Sequence, residues 1–172
     1  TLNISSGVGD AGAISCISNV NVSLDENCVF TVTPSVLIAG TFNTGSPYQV
    51  ILMDKNGKVI PNATLTEVHL GQNIMAKLID GCGGNSCWAT IFVEDKIPPR
   101  TFCQDIVLAC HELDTYVGPF ESDNCGGPVE NTLLYELITP YVCNELYVKQ
   151  IERRYIAKDK AGNISLPCDM TI

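Results

Sequence analysis

The sequence predicts an all-β protein built as two tandem modules, each a β-sandwich with disulfides. Three observations carry this. Short runs alternate apolar and polar residues between frequent turn signals, and no long amphipathic helix pattern interrupts them. The second half of the chain repeats a layout found in the first. Nine cysteines are spread over 172 residues, and modules of half that length bury only about 60% of their unfolded surface, so they need covalent help.

Residues 1–14, "TLNISSGVGDAGAI", are small and Gly/Ser-rich, and read as a linker or the tail of a preceding repeat. In "NVNVSLDENCVFTVT" Val20, Val22 and Leu24 share one face, and Phe30 and Val32 share another beyond "DEN", which predicts a hairpin. "YQVILMDKNGKVI" repeats the device with Asn56-Gly57 as its turn. "NIMAKLID", "CWATIFVED", "QDIVLAC" and "ELYVKQIERRYIAKD" are further strands by the same period. "TPSVLIAG" fits a short helical turn or a strand, and "ENTLLYELITP" is equally ambiguous.

The repeat is visible in "MAKLIDGCGGNSC" and "YIAKDKAGNISLPC". Each has a strand, an Asp (Asp80, Asp159), a Gly-Asn pair (Gly84-Asn85, Gly162-Asn163) and a Cys in the strand that follows (Cys87, Cys168). A Cys also precedes the first alternation of each half, Cys16 before "NVNVSL" and Cys103 before "DIVLA". The modules are therefore placed at residues 15–96 and 97–172. Pro98-Pro99 stiffens the joint, because proline fixes φ and restricts the residue before it.

Composition excludes several functions. Net charge is −9, with four basic and eight acidic residues through Lys96 and six and eleven after it, so neither half offers a nucleic-acid footprint. No apolar stretch approaches the roughly 18 residues of a membrane span, so membrane insertion is not expected. With neither an initiator Met nor a signal peptide, the chain reads as a mature protein or a piece of one. Paired CxxC or Cys/His spacings are missing, so the cysteines are read as disulfides of an oxidising compartment rather than zinc ligands.

Catalytic signatures are missing too. There is no GxSxG, HExxH, P-loop or GxGxxG, and no enzyme activity or organic cofactor is expected. His111, Glu112 and Asp114 crowd one stretch without a nucleophile motif and read as an exposed loop. "DKNGK" (54–58) resembles the start of a calcium loop but carries Leu65 at the twelfth position, so it reads as a hairpin turn, as does "DKAGN" (159–163). Trp88 follows a Cys in a strand, the place of a ring packed in the core or over a disulfide, with a sugar-stacking platform as the other reading. Tyr116, Phe120, Tyr135 and Tyr141 show no clear spacing. Arg153-Arg154 reads as one strand position facing out and one paired to an acid. Asn3, Asn21, Asn62 and Asn163 open N-x-S/T sequons.

"PPRTFCQDIVLAC", "SDNC" and "RRYIAKDKAGNISLPCDMTI" together resemble the hyalin-repeat type of immunoglobulin-like module. That family has a Pro-Pro-x-x-x-Cys entry, an Asp-Asn-Cys loop and a Gly-Asn exit followed by Cys. The first half, from "VNVSLDENCVF" to "GNSCWATIFVEDKIPP", resembles related repeats of giant secreted surface proteins and gliding-motility adhesins of Bacteroidetes-type bacteria. The match covers residues 15–172. It departs at Ala161, where many repeats carry Cys, and at Gln49, where Gly-Cys is common.

The resemblance implies immunoglobulin-like sandwiches and a non-catalytic, adhesive role at the cell surface. The implied partners are neighbouring repeats of the same polypeptide, a surface polysaccharide or another cell-surface protein. A carbohydrate-binding accessory module of a secreted enzyme is the alternative. It also implies that the first-strand Cys bridges the last-strand Cys of each module, Cys16–Cys87 and Cys103–Cys168. Cys82 then takes Cys28, the remaining cysteine of its module. Cys125 and Cys143 pair, which leaves Cys110 as a free thiol, read as a buried small hydrophobe.

"VEDKIPP" raises one last expectation. Glu94 and Asp95 end a strand at the module junction, where two carboxylates repel unless solvated or shared with a cation. A calcium ion there would take oxygens from Glu94, Asp95 and Asp123 of the "SDNC" loop. The competing reading is a solvated acidic strand end held by Pro98-Pro99.

Overall fold

In the computed structural model, residues 13–40, 47–81, 84–140 and 149–172 are described. Asn3, Cys82, Tyr141, Cys143 and the start of the "ELYVKQ" segment lie outside them. The chain divides into two compact units, Thr1–Asp95 and Lys96–Ile172. The division falls one residue before the one drawn from the sequence.

The first unit contains β1 (Asn19–Ser23), β2 (Val29–Thr31), α1 (Pro34–Leu37), β3 (Tyr48–Met53), β4 (Val59–Ile60), β5 (Thr64–Thr66), β6 (Asn73–Asp80) and β7 (Ser86–Glu94). A five-stranded sheet has the order β1-β7-β6-β3-β4, and β2 and β5 form a separate pair. Within the larger sheet β1 runs parallel to β7 while the other pairings are antiparallel. Period two decides which residues go inside. On β6, Ile74, Ala76 and Leu78 are fully buried, and they pair with Ile91, Ala89 and Cys87 of β7. Leu52 of β3, Leu65 of β5 and Leu37 of α1 are buried as completely. Each such leucine contributes about 1.5–3 kcal/mol by leaving water.

The second unit contains β8 (Arg100–Phe102), β9 (Phe120–Ser122), β10 (Glu130–Pro140), β11 (Lys149–Lys158) and β12 (Cys168–Thr171). Its strands form a three-stranded antiparallel sheet, β10-β11-β12, and a pair, β8-β9. Its core is thin. Among the described residues its buried apolar side chains are Cys125, Ile151, Tyr155, Ala157 and Met170, with Pro99 and Pro119, against fifteen in the first unit.

The all-β class is therefore observed, with several sheets and one helical turn of four residues. Of the ambiguous segments, "TPSVLIAG" holds that helical turn, with Pro34 at its start, where a missing N–H is harmless. "ENTLLYELITP" is the whole of β10. Two expectations are corrected. The "DEN" segment does reverse the chain, with Asp25 N donating to Val29 O (3.0 Å) and Cys28 N to Asp25 O (2.8 Å). Its flanking strands do not pair with each other, however: β1 joins β7 and β2 joins β5. "QDIVLAC" alternates but forms no strand. Ile106 N donates to Thr171 O and Asp105 Oδ1 accepts from Thr171 N, which ties that segment beside β12.

One loop design recurs. At Asp54 the carboxylate accepts from Asn56 N and Lys58 N while Gly57 N returns to Asp54 O, and Gly57 has φ +78°. At Asp159 the carboxylate accepts from Asn163 N, Gly162 N returns to Asp159 O, and Gly162 has φ +96°. Asp25 does the same with Asn27 N and Val29 N, but there Cys28 occupies the left-handed position, at φ 57°. An Asp side chain mimics a backbone turn, and the fourth residue must tolerate positive φ. Only the Asp159 loop of these three carries the Gly-Asn pair of the sequence repeat.

Candidate functional site

Among the carboxylates of the second unit, Asp159 belongs to one of these loops. Asp159 is 7% exposed and sits just after β11. Its Oδ1 accepts from Asn163 N and its Oδ2 from Asn163 Nδ2, both at 2.8 Å. Asn163 Nδ2 also reaches Ile97 O at 3.5 Å, which ties the Asp159 loop to the start of the second unit. Asp123, in the "SDNC" loop, accepts from Cys125 N through Oδ2 at 3.1 Å. Asp123 and Asp159 each present a carboxylate oxygen, and the two lie within 4.8 Å of one another. Like charges that close disfavour each other unless donors or a cation compensate. An all-oxygen group suits a hard cation such as calcium rather than a thiophilic metal.

Asp95 is the last residue of the first unit and is 8% exposed. Glu94 ends β7, and its Oε1 accepts from Asn21 Nδ2 of β1 at 3.4 Å, a contact within the first unit. The sequence reading thus named Asp123 but treated Asp159 only as a turn. The "DKAGN" echo of the Asp80 loop marks Asp159 as a turn residue and does not show that it meets Asp123.

Cys16 is bridged to Cys87 with Cα atoms 5.5 Å apart, and Cys103 to Cys168 at 5.8 Å. Cys28 and Cys125 are each disulfide-bonded. Their expected partners, Cys82 and Cys143, lie outside the described residues. Cys110 is free and exposed rather than buried. It precedes a short 3-10 turn, Leu113–Thr115. Such bridges belong to an oxidising environment.

Trp88 is not a core residue. It is 49% exposed, because Ala89, Ile91 and Val93 take the inner face of β7 and leave Trp88 on the outer one. Lys77 Nζ stands 5.2 Å from its ring centroid, a cation–π contact across the β6–β7 pair. Of the two arginines of β11, Arg153 is paired to an acid and Arg154 faces out with its side chain 51% exposed, as expected, although Arg154 is paired to an acid as well. Arg153 Nε meets Glu136 Oε2 at 2.7 Å, and Arg154 holds Asp169 in a fork at 2.6 and 2.9 Å. The Arg154 guanidinium beside Asp169 holds that carboxyl below its ordinary range. Lys58 N donating to Asp54 lowers the latter in the same way.

Tyr135, Arg154 and Asp169 line an open groove of about 600 Å³ with Asp105 and Glu152. Phe120 is 70% exposed and stacks near Phe102, with centroids 5.9 Å apart. Tyr116 is half-buried, and its hydroxyl reaches Met170 Sδ at 3.3 Å.

His111, Glu112 and Asp114 are exposed, and Glu112 caps Ala109 N. His69 accepts from Thr66 N through Nδ1 and closes a short turn. Among the described residues no helix is long and apolar enough to cross a membrane, which says nothing about a β-barrel. Scans against protein-family models and against curated proteins find no match to this chain.

Proposed function

We propose that the chain is a non-catalytic structural and adhesive repeat segment of a large extracellular bacterial surface protein. In this reading it consists of two immunoglobulin-like β-sandwich modules of hyalin-repeat type, which space or present binding regions at the cell surface. The observation that carries it is the shared closure of the two units. In each, a cysteine near the first strand is bridged to one in the last (Cys16–Cys87 and Cys103–Cys168). The repeated Asp loops at Asp80 and Asp159 support the same reading. In each, the Asp N–H donates to the Asn carbonyl of the Gly-Asn pair. Antibodies against the chain are expected to label intact cells of the source bacterium, and protease treatment of those cells is expected to remove the label. Label seen only after permeabilisation would overturn the proposal.

The carbohydrate-binding alternative is favoured by half-exposed Trp88 and by Tyr135 beside the charged groove. Saturable binding of a polysaccharide, lost in Trp88→Ala or Tyr135→Ala, would select it.

The same proposal includes calcium. Asp123 and Asp159 supply the first oxygens. Asp95 is bonded directly to Lys96, where the second unit begins. It lies two residues before Ile97, whose carbonyl meets the Asp159 loop. This reading takes Asp95 as a further ligand. Millimolar calcium is expected to raise the melting temperature of the wild type but not of Asp123→Asn/Asp159→Asn. An equal response of both proteins, or none, would remove calcium from the reading.

A further inference from the structure

The least protected feature of the molecule is β10. Among the described residues it is an edge strand of eleven residues, paired only with β11. Every residue from Thr132 to Pro140 is exposed. Leu133, Leu134, Tyr135, Leu137 and Ile138 are 44–53% exposed, so both faces of the strand show apolar side chains. An open edge also presents a row of backbone N–H and C=O groups without ladder partners, a template for another strand. Protected edges usually carry lysines, an inward charge or a proline. β10 has no lysine, and its proline comes only at the end. Its sole irregularity is the register shift between Leu133 and Tyr135.

We propose that β10 is a self-association edge, where the β10 strand of a second copy of this chain adds antiparallel and joins the two three-stranded sheets. Charge selects that occupant. Two copies with net charge −9 repel over most of their surfaces. From Asn131 to Pro140 the only charged residue is Glu136, and Arg153 already neutralises it at 2.7 Å. An antiparallel pairing centred on any residue but Glu136 keeps the two Glu136 side chains from facing each other. The two-fold contact uses the same patch twice, which closes the assembly as a dimer. Backbone hydrogen bonds supply the affinity and the apolar side chains flanking them the specificity, as in other strand additions.

Sedimentation equilibrium of the intact chain tests this. The expected mass rises with concentration from 18.6 kDa to twice that value. Leu137→Lys/Ile138→Lys places like charges against each other and is expected to weaken association by about tenfold or more. Both positions are exposed, so an unchanged circular dichroism spectrum is expected. Val59→Lys, an exposed apolar position of the first unit, is expected to dimerise like the wild type. Amide exchange within residues 132–139 is expected to slow as the dimer fills in the wild type and in Val59→Lys, but not in the double-lysine variant. A monomer at every concentration would overturn the proposal. So would a dimer indifferent to the lysines, or one that Val59→Lys dissolves equally.

Discussion

With Cys103 and Cys168 both changed to serine, the second unit is expected to unfold under conditions that leave the first intact. The bridge spans 65 residues, and closing a loop of that length stabilises by about 4 kcal/mol in the chain-entropy account. Small single cores rarely supply more than about 3–5 kcal/mol in total. Among its described residues the second unit sets only Cys125, Ile151, Tyr155, Ala157 and Met170, with Pro99 and Pro119, against the loss. Hydrogen exchange read by peptide separates the units. Peptides from β10 to β12 are expected to lose protection, while those from β6 and β7 keep theirs. The matching change of Cys16 and Cys87 removes a bridge of 71 residues, about the same free energy, yet the first unit's fifteen buried apolar residues should keep it folded below its lowered melting temperature. Intact protection of β11 and β12 in the Cys103/Cys168 variant would show that the thin core suffices.

Leu78→Ala is expected to destabilise the first unit by about 2–5 kcal/mol, the range for emptying a fully buried leucine site. Leu78 lies in β6, which has a strand on either side, and is fully buried between Val50 and Cys87 in the inner cross-strand row. Met75, three residues earlier on the same strand, is 53% exposed on the outer face. Met75→Ala is expected to cost well under 1 kcal/mol, as surface changes do. Urea titration of the two variants measures the contrast. Similar losses at both positions would mean the register of β6 is wrong by one residue, because a one-residue slip exchanges the two faces.

Strand existence was legible wherever the period of two was long. "NIMAKLID" and "CWATIFVED" read directly as the strands β6 and β7. The exposure of Trp88 was legible by the same parity, since it is out of phase with Ala89, Ile91 and Val93. A cysteine next door drew attention to disulfide cover instead, although adjacent strand residues point to opposite faces.

Pairing was not legible. Nothing local to "SLDENCV" says that β1 will seek β7 in parallel, more than sixty residues away. The partners of Arg153 and Arg154 were hidden for the same reason. Glu136 and Asp169 meet them only once the registers of β10 and β12 against β11 are set. "QDIVLAC" shows the converse limit, where alternation supplies a strand-like pattern that finds no ladder. Of the candidate cation ligands, Asp123 was readable from the "SDNC" loop. Asp159 required knowing that two turns distant in sequence approach each other.

The two end-to-end bridges have a mechanical consequence. When a chain is pulled from its ends, the load passes through covalent cross-links and bypasses the residues they enclose. Here the bridges enclose residues 17–86 and 104–167. Fully extended, 172 residues would reach nearly 600 Å, but with both bridges intact only about 40 residues can pay out, on the order of 140 Å. Unzipping either sheet therefore releases almost no slack, and the segment behaves as a tether of nearly fixed length until a sulfur–sulfur bond is reduced.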